Sequence, residues 1–347
     1  MKALFLAGGK GTRLRPITNE LPKPMVPVMG KPLLERNIER LKEHGVDEIV
    51  LSTCYKPYKI EKYFGSGEKT GVKVNYISED IPLGTAGAIK NAQEFFKDTF
   101  IVFNADILSD IDISDMIKYH KKKKAFATIA TTEVEDPSAY GVIEYDKKGF
   151  VTAFKEKPKH HETTSNLINA GIYIFEPGLF DEIPLDKSVS IERETYPRLL
   201  NKGKKIAVYN KCSYWLDLGT PDKYIKAHKD ILNGDLKMLA HNFKNNPKYI
   251  SSTAKIHPNA KIIDPVYIED NVEIGAFAVV GPNTFLGENS HVGVGSKVIG
   301  SVVWDHASVG NGALIANSVI MSNCKVDMNT EEYNIILTQN VCHSIAV

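Results

Sequence analysis

A glycine-rich turn carrying fixed cations lies at the start of the chain. Leu6-Ala7-Gly8-Gly9-Lys10-Gly11-Thr12-Arg13-Leu14-Arg15-Pro16 leaves a short apolar run and turns at once into glycines. Glycines at such a turn let backbone N–H groups approach phosphate oxygens closely. No Gly-Lys-Ser/Thr closes the run, so it is not a Walker A loop, and Leu14 stands where a dinucleotide fingerprint needs its third glycine. Arg13 sits within the loop, and Lys23 follows in Leu21-Pro22-Lys23-Pro24. Two such cations could hold the outer phosphates of a nucleoside triphosphate. Seen alone, the same residues also read as a glycine turn with solvated basic neighbours. Two carboxylates, Asp106 and Asp217, each follow an apolar run. Taken singly, each reads as well as a cap on the helix that comes next.

The elements that must position these groups come in two styles. Lys2–Leu6, Glu48–Ser52, Val72–Ser78 and Phe100–Asn104 read as buried strands. Between them Pro32–Glu43, Tyr58–Phe64 and Thr85–Phe95 have the period of amphipathic helices. Such alternation builds an α/β domain with a mixed, mostly parallel sheet, whose ligands sit at the carboxyl ends of the strands. Strands follow at Phe126–Thr132, Gly141–Tyr145, Phe150–Lys155 and Asn169–Phe175, and helices around Glu192–Asn201 and Pro221–Leu232. Lys121–Lys124 closes a helix and reads as a solvated surface complementing its dipole. His160 and His161, in a polar loop, receive no role.

From Ile256 an aliphatic residue recurs every six positions: Ile262, Ile268, Ile274, Val280, Leu286, Val292 and Val298. Glycine follows directly at Gly275, Gly281, Gly287 and Gly293. A period of six fits a β-solenoid whose hexads form the flat sides of a triangular coil. The glycines suit its tight corners. After Val298 the register slips by one and resumes at Val309-Gly310 and Ile315. Trp304 at a solenoid position is read as packing. The expected domains are a catalytic domain at 1–232, a linker at 233–250, a left-handed β-helix of hexapeptide repeats at 251–325, and a tail at 326–347 without a clear period.

Bulk properties narrow the classes. At 347 residues two domains are natural, and 43% hydrophobic with 24% charged residues excludes wholesale disorder. The net charge of +1 lacks the basic excess of a nucleic-acid binder. Cys54, Cys212, Cys324 and Cys342 form neither a C-x-x-C pair nor a tight His/Cys cluster, against a disulfide framework or structural zinc. The apolar run Ala3–Ala7 is too short for a signal peptide or a membrane span, so no membrane partner and a cytoplasmic location are expected.

Six motifs in order resemble the sugar nucleotidylyltransferase family. Gly8-Gly9-Lys10-Gly11-Thr12-Arg13-Leu14 with Lys23-Pro24 is similar to its signature. Pro82-Leu83-Gly84-Thr85-Ala86-Gly87 resembles its base-recognition loop, and Asn104-Ala105-Asp106 its metal-binding aspartate. Glu156-Lys157-Pro158, Asn169-Ala170-Gly171 and Trp215-Leu216-Asp217-Leu218-Gly219-Thr220-Pro221 resemble its sugar-phosphate and second metal motifs. The likeness implies a Rossmann-like nucleotidyltransferase domain that joins a nucleoside triphosphate to a sugar-1-phosphate and releases pyrophosphate. It implies Mg2+ on Asp106 and Asp217, which fits a metal that takes hard oxygen ligands and substrate phosphates. Arg13 and Lys23 would act on the triphosphate. Leu6, Ala7, Gly8, Gly9, Gly11, Thr12, Glu79, Pro82, Gly84 and Thr85 would complete the nucleotide site with Arg13 and Asp106. Gly141, Glu156, Lys157, Asn169 and Gly171 would bind the sugar phosphate.

Within the family, Ser190-Ile191-Glu192-Arg193-Glu194-Thr195-Tyr196-Pro197 and Tyr214-Trp215-Leu216-Asp217-Leu218-Gly219 are more similar to the branch using GTP and mannose-1-phosphate. The uridylyl, thymidylyl or adenylyl enzymes of glucose-1-phosphate are the alternative. A non-catalytic subunit sensing a nucleotide sugar would be expected to lose the catalytic charges, yet Arg13, Lys23, Asp106, Lys157 and Asp217 are present. The solenoid, about ten hexads long, suits assembly better than acyl transfer. Its open end leads to the expectation of a homo-oligomer formed through the β-helix.

Overall fold

The computed structural model describes residues 1–79, 81–159, 163, 165–185, 187–237, 239, 241–339 and 341–345; His160 and His161 lie outside the described residues. The chain forms two compact units. The first comprises Met1–Lys10, Pro22–Pro24 and Leu34–Trp215, and the second Gly11–Leu21, Met25–Leu33 and Leu216–Val347.

The first unit is built on a nine-stranded mixed sheet. Its main path runs Val151–Glu156, Gly141–Tyr145, Leu167–Phe175, Phe100–Asn104, Lys2–Leu6, Glu48–Thr53, Lys73–Ser78. Ala127–Glu133 pairs with Leu167–Phe175, and Ile206–Tyr209 with Ala127–Glu133. Lys2–Leu6 runs parallel to both its neighbours, whereas Leu167–Phe175 runs antiparallel to Phe100–Asn104 and Ala127–Glu133. Consecutive residues Ala3, Leu4 and Phe5 are all fully buried, so both faces of this strand are covered. On one face Leu4, Val50 and Val102 share a core with Ala86, Ile89, Tyr196 and Leu199. Leu6 is in register with Ser52 on one side and Asn104 on the other. The strand order therefore reverses there, which opens a crevice at the carboxyl ends.

Two helices differ from the sequence expectation. The helix expected over Thr85–Phe95 is α-helical only over Gly84–Asn91 and continues as a 3-10 turn at Gln93–Phe95. The one expected around Glu192–Asn201 opens with a π-turn at Ile191–Thr195 before the α-helix Tyr196–Asn201. Pro197 has no N–H for the preceding carbonyl ladder, so the turn before it widens. Helix Ile113–Lys123 is capped by Asp112, whose side chain accepts from the Asp115 amide, and its final lysines are largely exposed.

In the second unit three ladders form the sides of the left-handed β-helix. One stacks Lys248–Ile250, Val266–Ile268, Thr284–Leu286, Val302–Val303, Val319–Ile320 and Ile335–Leu337. The others run from Lys255–Ile256 to Lys325–Val326 and from Lys261–Ile262 to Glu331–Tyr333. Ile268, Ile274, Val280, Leu286, Val292 and Val298 all point inward and are buried. The slip after Val298 is a side shortened by one residue that recurs in each later coil: Ile268 pairs with Leu286, but Leu286 with Val303, Val303 with Ile320 and Ile320 with Leu337. The stack begins at Lys248–Ile250, within the stretch read as a linker. It continues past 325 and ends with Cys342–Ser344 antiparallel to Ile335–Leu337.

The corners overturn the role expected of the glycines. Positive φ falls mainly on asparagines, among them Asn271, Asn289, Asn317, Asn323, Asn329 and Asn334. Asparagine tolerates this conformation better than other side chains because its short amide bonds locally. Of the four glycines only Gly281 has positive φ. At Gly275 a Cβ would lie 2.8 Å from the Val294 amide of the next coil, so that glycine serves close stacking.

Candidate active site

At the carboxyl ends of the parallel strands the first unit holds a cavity of about 290 Å³. It is lined by Leu6, Gly8, Gly9, Cys54, Glu79, Pro82, Gly84, Thr85, Ala88 and Asn104. Glu79 is 8% exposed. It accepts hydrogen bonds from Ser52 Oγ at 2.7 Å and from the Leu83 amide at 3.0 Å. That second bond ties the carboxylate to the loop Pro82–Thr85. The loop is pinned further where Val189 N donates to Leu83 O and Ala86 N donates to Val189 O. Gly84 has φ +70, and a Cβ there would fall 2.7 Å from Val189 O, so only glycine fits. Ala7 stands apart: its amide donates to Ser52 O, leaving no free donor for a phosphate.

Lys23 Nζ lies 2.6 Å from Asp106 Oδ2, with the lysine buried and the aspartate half-buried. Asp106 follows strand Phe100–Asn104 in a turn held by the Ala105 amide on Leu6 O. The sequence therefore placed this cation and this carboxylate in one site without indicating that they pair directly.

The sugar-phosphate candidates surround a neighbouring part of the same unit. Gly141 is in register with Glu156. Lys157, just beyond the strand, has φ 49 and donates its amide to Tyr140 O. A non-glycine residue in this region is uncommon and marks a backbone held for position. Asn169 donates from Nδ2 to Tyr173 Oη at 2.7 Å and accepts from the Gly171 amide at 3.0 Å. Trp215 Nε1 donates to Ala170 O, fixing the same irregular stretch of strand Leu167–Phe175.

The sequence stretch Ser190–Pro197 gives Glu192 no role of its own. Burial raises its pKa, and the nearby Glu156 charge adds to the rise, against lowering by backbone and Ser190 hydrogen bonds. Tyr173 is raised well above an ordinary phenol, chiefly by burial and then by the Glu192 charge. Glu192 thus joins Glu156 and Asn169 as a polar group of this region. The π-turn that carries it gives no signal in periodicity. Cys54, likewise unassigned from sequence, lines the cavity beside Gly8 and Glu79.

In the second unit Gly11 has φ 61 and opens the 3-10 turn Thr12–Leu14, which leaves Thr12 and Arg13 exposed. Thr18 Oγ1 donates to Gly11 O and braces that turn. Asp217 Oδ1 accepts from Lys223 Nζ, a residue in the first turn of helix Pro221–Leu232. A Cβ at Gly219 would sit 2.8 Å from Asp217 Oδ2 and 3.6 Å from an Arg13 guanidinium nitrogen. The glycine thus leaves open a space bounded by that carboxylate and that cation.

Both aspartates carry a lysine ammonium, a cation resting where a metal could rest. Among the described residues no group of three or more His, Cys, Asp and Glu could cage a metal. A single carboxylate with open space beside it is the kind of donor Mg2+ takes, because that ion completes its shell with phosphates and water.

Residues 2–234 match the nucleotidyl transferase family, and residues 262–344 the GMPPB C-terminal domain. The chain belongs to the nucleotidyl transferase family and is a sugar-1-phosphate nucleotidyltransferase by that membership. It is 36% identical to a mannose-1-phosphate guanylyltransferase of Mycobacterium tuberculosis, over 90% of this chain and 82% of that one. It is 35% identical to a UTP–glucose-1-phosphate uridylyltransferase of Synechocystis, over 94% and 89%. The crystal structure of HddC from Yersinia pseudotuberculosis complexed with GMP-PN covers 65% of this chain and 97% of its own, with 34% identity and a TM-score of 0.56. Among the described residues no helix is long and apolar enough to cross a membrane.

Proposed function

We propose that this chain transfers a guanylyl group from GTP to mannose-1-phosphate, giving GDP-mannose and pyrophosphate. The observation that carries the choice of base is Glu79, a buried carboxylate lining a cavity near the small end of ligand pockets, about 300–1,000 Å³. An ionised carboxylate only accepts, and its two oxygens offer about four lone-pair sites. Ser52 and Leu83 use one on each oxygen. Guanine presents N1–H and N2–H2 side by side, two donors for one carboxylate. Uracil and thymine offer a single N–H flanked by carbonyl oxygens that a carboxylate repels. Adenine and cytosine pair one donor with an acceptor. Similarity to the Mycobacterium enzyme supports the same reading.

The reaction is an in-line displacement. An oxygen of the sugar phosphate attacks the α-phosphorus, forming the new P–O bond as the bond to the β-phosphate oxygen breaks and its electrons leave with pyrophosphate. The nucleophile is already an anion, so no general base is required. The difficulty is to bring anions together and to stabilise the leaving charge. Arg13 neutralises the β- and γ-phosphates, and Lys23, released from Asp106, reaches the reacting phosphate. Lys157 holds the sugar phosphate, while Glu156 and Asn169 bond sugar hydroxyls. Asp106 and Asp217 would hold Mg2+, which when bound supplies positive charge to the phosphates.

Residues 1–232 act as the catalytic part of a cytoplasmic homo-oligomer in this reading. Glucose-1-phosphate uridylyl transfer is the second reading, supported by similarity to the Synechocystis enzyme. Pyrophosphate release with GTP, UTP, dTTP, ATP and CTP against mannose-1-phosphate and glucose-1-phosphate tests both. Release concentrated in the GTP and mannose-1-phosphate pair is expected. Release concentrated in another pair replaces the substrate, and a blank matrix from folded protein that binds nucleotide sugars favours a regulatory subunit.

A further inference from the structure

Asp217 and Arg13 belong to the same unit as the solenoid, and a chain of buried hydrogen bonds runs through that unit. Helix Pro221–Leu232 begins just after Asp217-Leu218-Gly219-Thr220 and lies on the outer face of a solenoid ladder. There Tyr249, Tyr267 and Phe285 stack with ring centroids 4.4 and 5.7 Å apart, and His228 packs on Phe285 at 5.7 Å. Tyr224, fully buried on this helix, uses its hydroxyl twice. It accepts from Trp304 Nε1 of the solenoid at 2.9 Å and donates to Pro27 O at 2.6 Å. His228 accepts from the Met29 amide at Nε2 and donates from Nδ1 to Tyr224 O.

The helix therefore grips the solenoid on one side and the segment Pro27–Met29 on the other. Its first turn presents Lys223 to Asp217, one residue before Tyr224. Packing alone would need no such pairing. A phenylalanine would fill the space of Tyr224, but the hydroxyl satisfies two buried polar groups that would otherwise be orphaned.

We propose that Trp304 and Tyr224 are positioning residues for nucleotidyl transfer. Through them a solenoid coil fixes the helix that sets Asp217 and the segment that continues from Arg13. The solenoid then serves the reaction within one chain, separately from any assembly role. The proposal rests on the reading of Asp217 as a metal carboxylate. Groups that orient a metal ligand commonly change affinity by about 10–100-fold when removed.

The test uses the full-length protein with Tyr224→Phe, Trp304→Phe, Asp217→Asn and Val309→Ala. Val309 is a buried residue of another ladder and serves as a control for loss of stability alone. Mn2+ affinity of the enzyme–GTP complex is read by electron paramagnetic resonance without sugar phosphate, so that no turnover occurs; kcat and KM are measured separately. Tyr224→Phe is expected to weaken Mn2+ binding and lower kcat by about tenfold. Its KM for mannose-1-phosphate should stay within about twofold, because Lys157, Glu156 and Asn169 are untouched. Trp304→Phe, which removes only the indole donor from the relay, should move in the same direction and stands in if Tyr224→Phe does not fold. Equal effects of Val309→Ala and Tyr224→Phe would overturn the proposal, as would unchanged Mn2+ affinity in both relay variants while Asp217→Asn weakens it. Unchanged affinity in Asp217→Asn would instead remove the metal reading, and this proposal with it.

Discussion

The candidate site residues of the two units are supported in different ways. In the first unit Gly8, Gly9, Glu79 and Asp106 sit at or just beyond the ends of parallel strands. Their positions follow from the backbone: a strand ends, the chain turns, and the next residue is at the site. In the second unit Arg13 sits on a braced 3-10 turn, and Asp217 precedes a helix held by Tyr224, His228 and Trp304. Placement there depends on buried side-chain hydrogen bonds across long sequence separations. A strand-end site should lose function when its own charges are removed and otherwise tolerate change. A site held by side chains should also respond to residues that touch no substrate.

The largest effect expected falls on the carboxylates themselves. Asp106→Ala should lower turnover by about a thousandfold in a pyrophosphate-release assay. Its thermal midpoint should also fall, because the buried Lys23 ammonium loses its carboxylate partner, so turnover is read per folded molecule. Near-normal turnover that still requires magnesium would remove Asp106 from the site.

Solenoid packing comes next. Leu286→Ala should cost about 2–5 kcal/mol in urea unfolding, since a fully buried leucine leaves a cavity. If turnover per folded molecule also falls, the second unit's dependence on its supports is sharpened. Unchanged turnover would weaken the contrast.

Glu79→Gln should reduce the kcat/KM preference for GTP over UTP by about ten- to a hundredfold, the worth of a charged hydrogen bond. A glutamine can still accept from Leu83, so the loop should hold. Unaltered preference would place base selection elsewhere.

The smallest effect concerns Glu192. Its raised pKa means the folded protein holds this proton to higher pH than the unfolded chain. The resulting stability is full below the ordinary glutamate range and is lost as pH rises through the raised value. Glu192→Gln removes the cost of burying that charge. The variant should melt about 1–2 °C above the parent at pH 7.5, and the gap should close at pH 4. A constant gap across that range would show that burial of the charge is not the cause.

Much of this was legible in the sequence because it depends on local pattern. The glycine turn after Lys2–Leu6, the aspartate after Phe100–Asn104, and the six-residue aliphatic period each reflect neighbours in the chain. Even the shortening of the coils after Val298 leaves its mark in the spacing. What escaped was set by distant contacts. Nothing in the sequence couples Tyr224 to Trp304 or shows Lys223 resting on Asp217. The corner asparagines were visible, but glycine drew the reading because it adopts positive φ at no steric cost. Their real difference lies in the neighbouring coil, which leaves no room for a Cβ at Gly275. Glu192 carries no sequence signal because a π-turn has no period of its own.

The antiparallel strand Cys342–Ser344 bears on solubility. Parallel coils can in principle be extended indefinitely, since each exposed ladder edge is a template for the next strand. Here the last rung of one ladder, Ile335–Leu337, is met by a strand of opposite direction. A strand that reverses direction cannot continue a parallel coil, so it works as a guard against fibre-like growth on that side of the triangle.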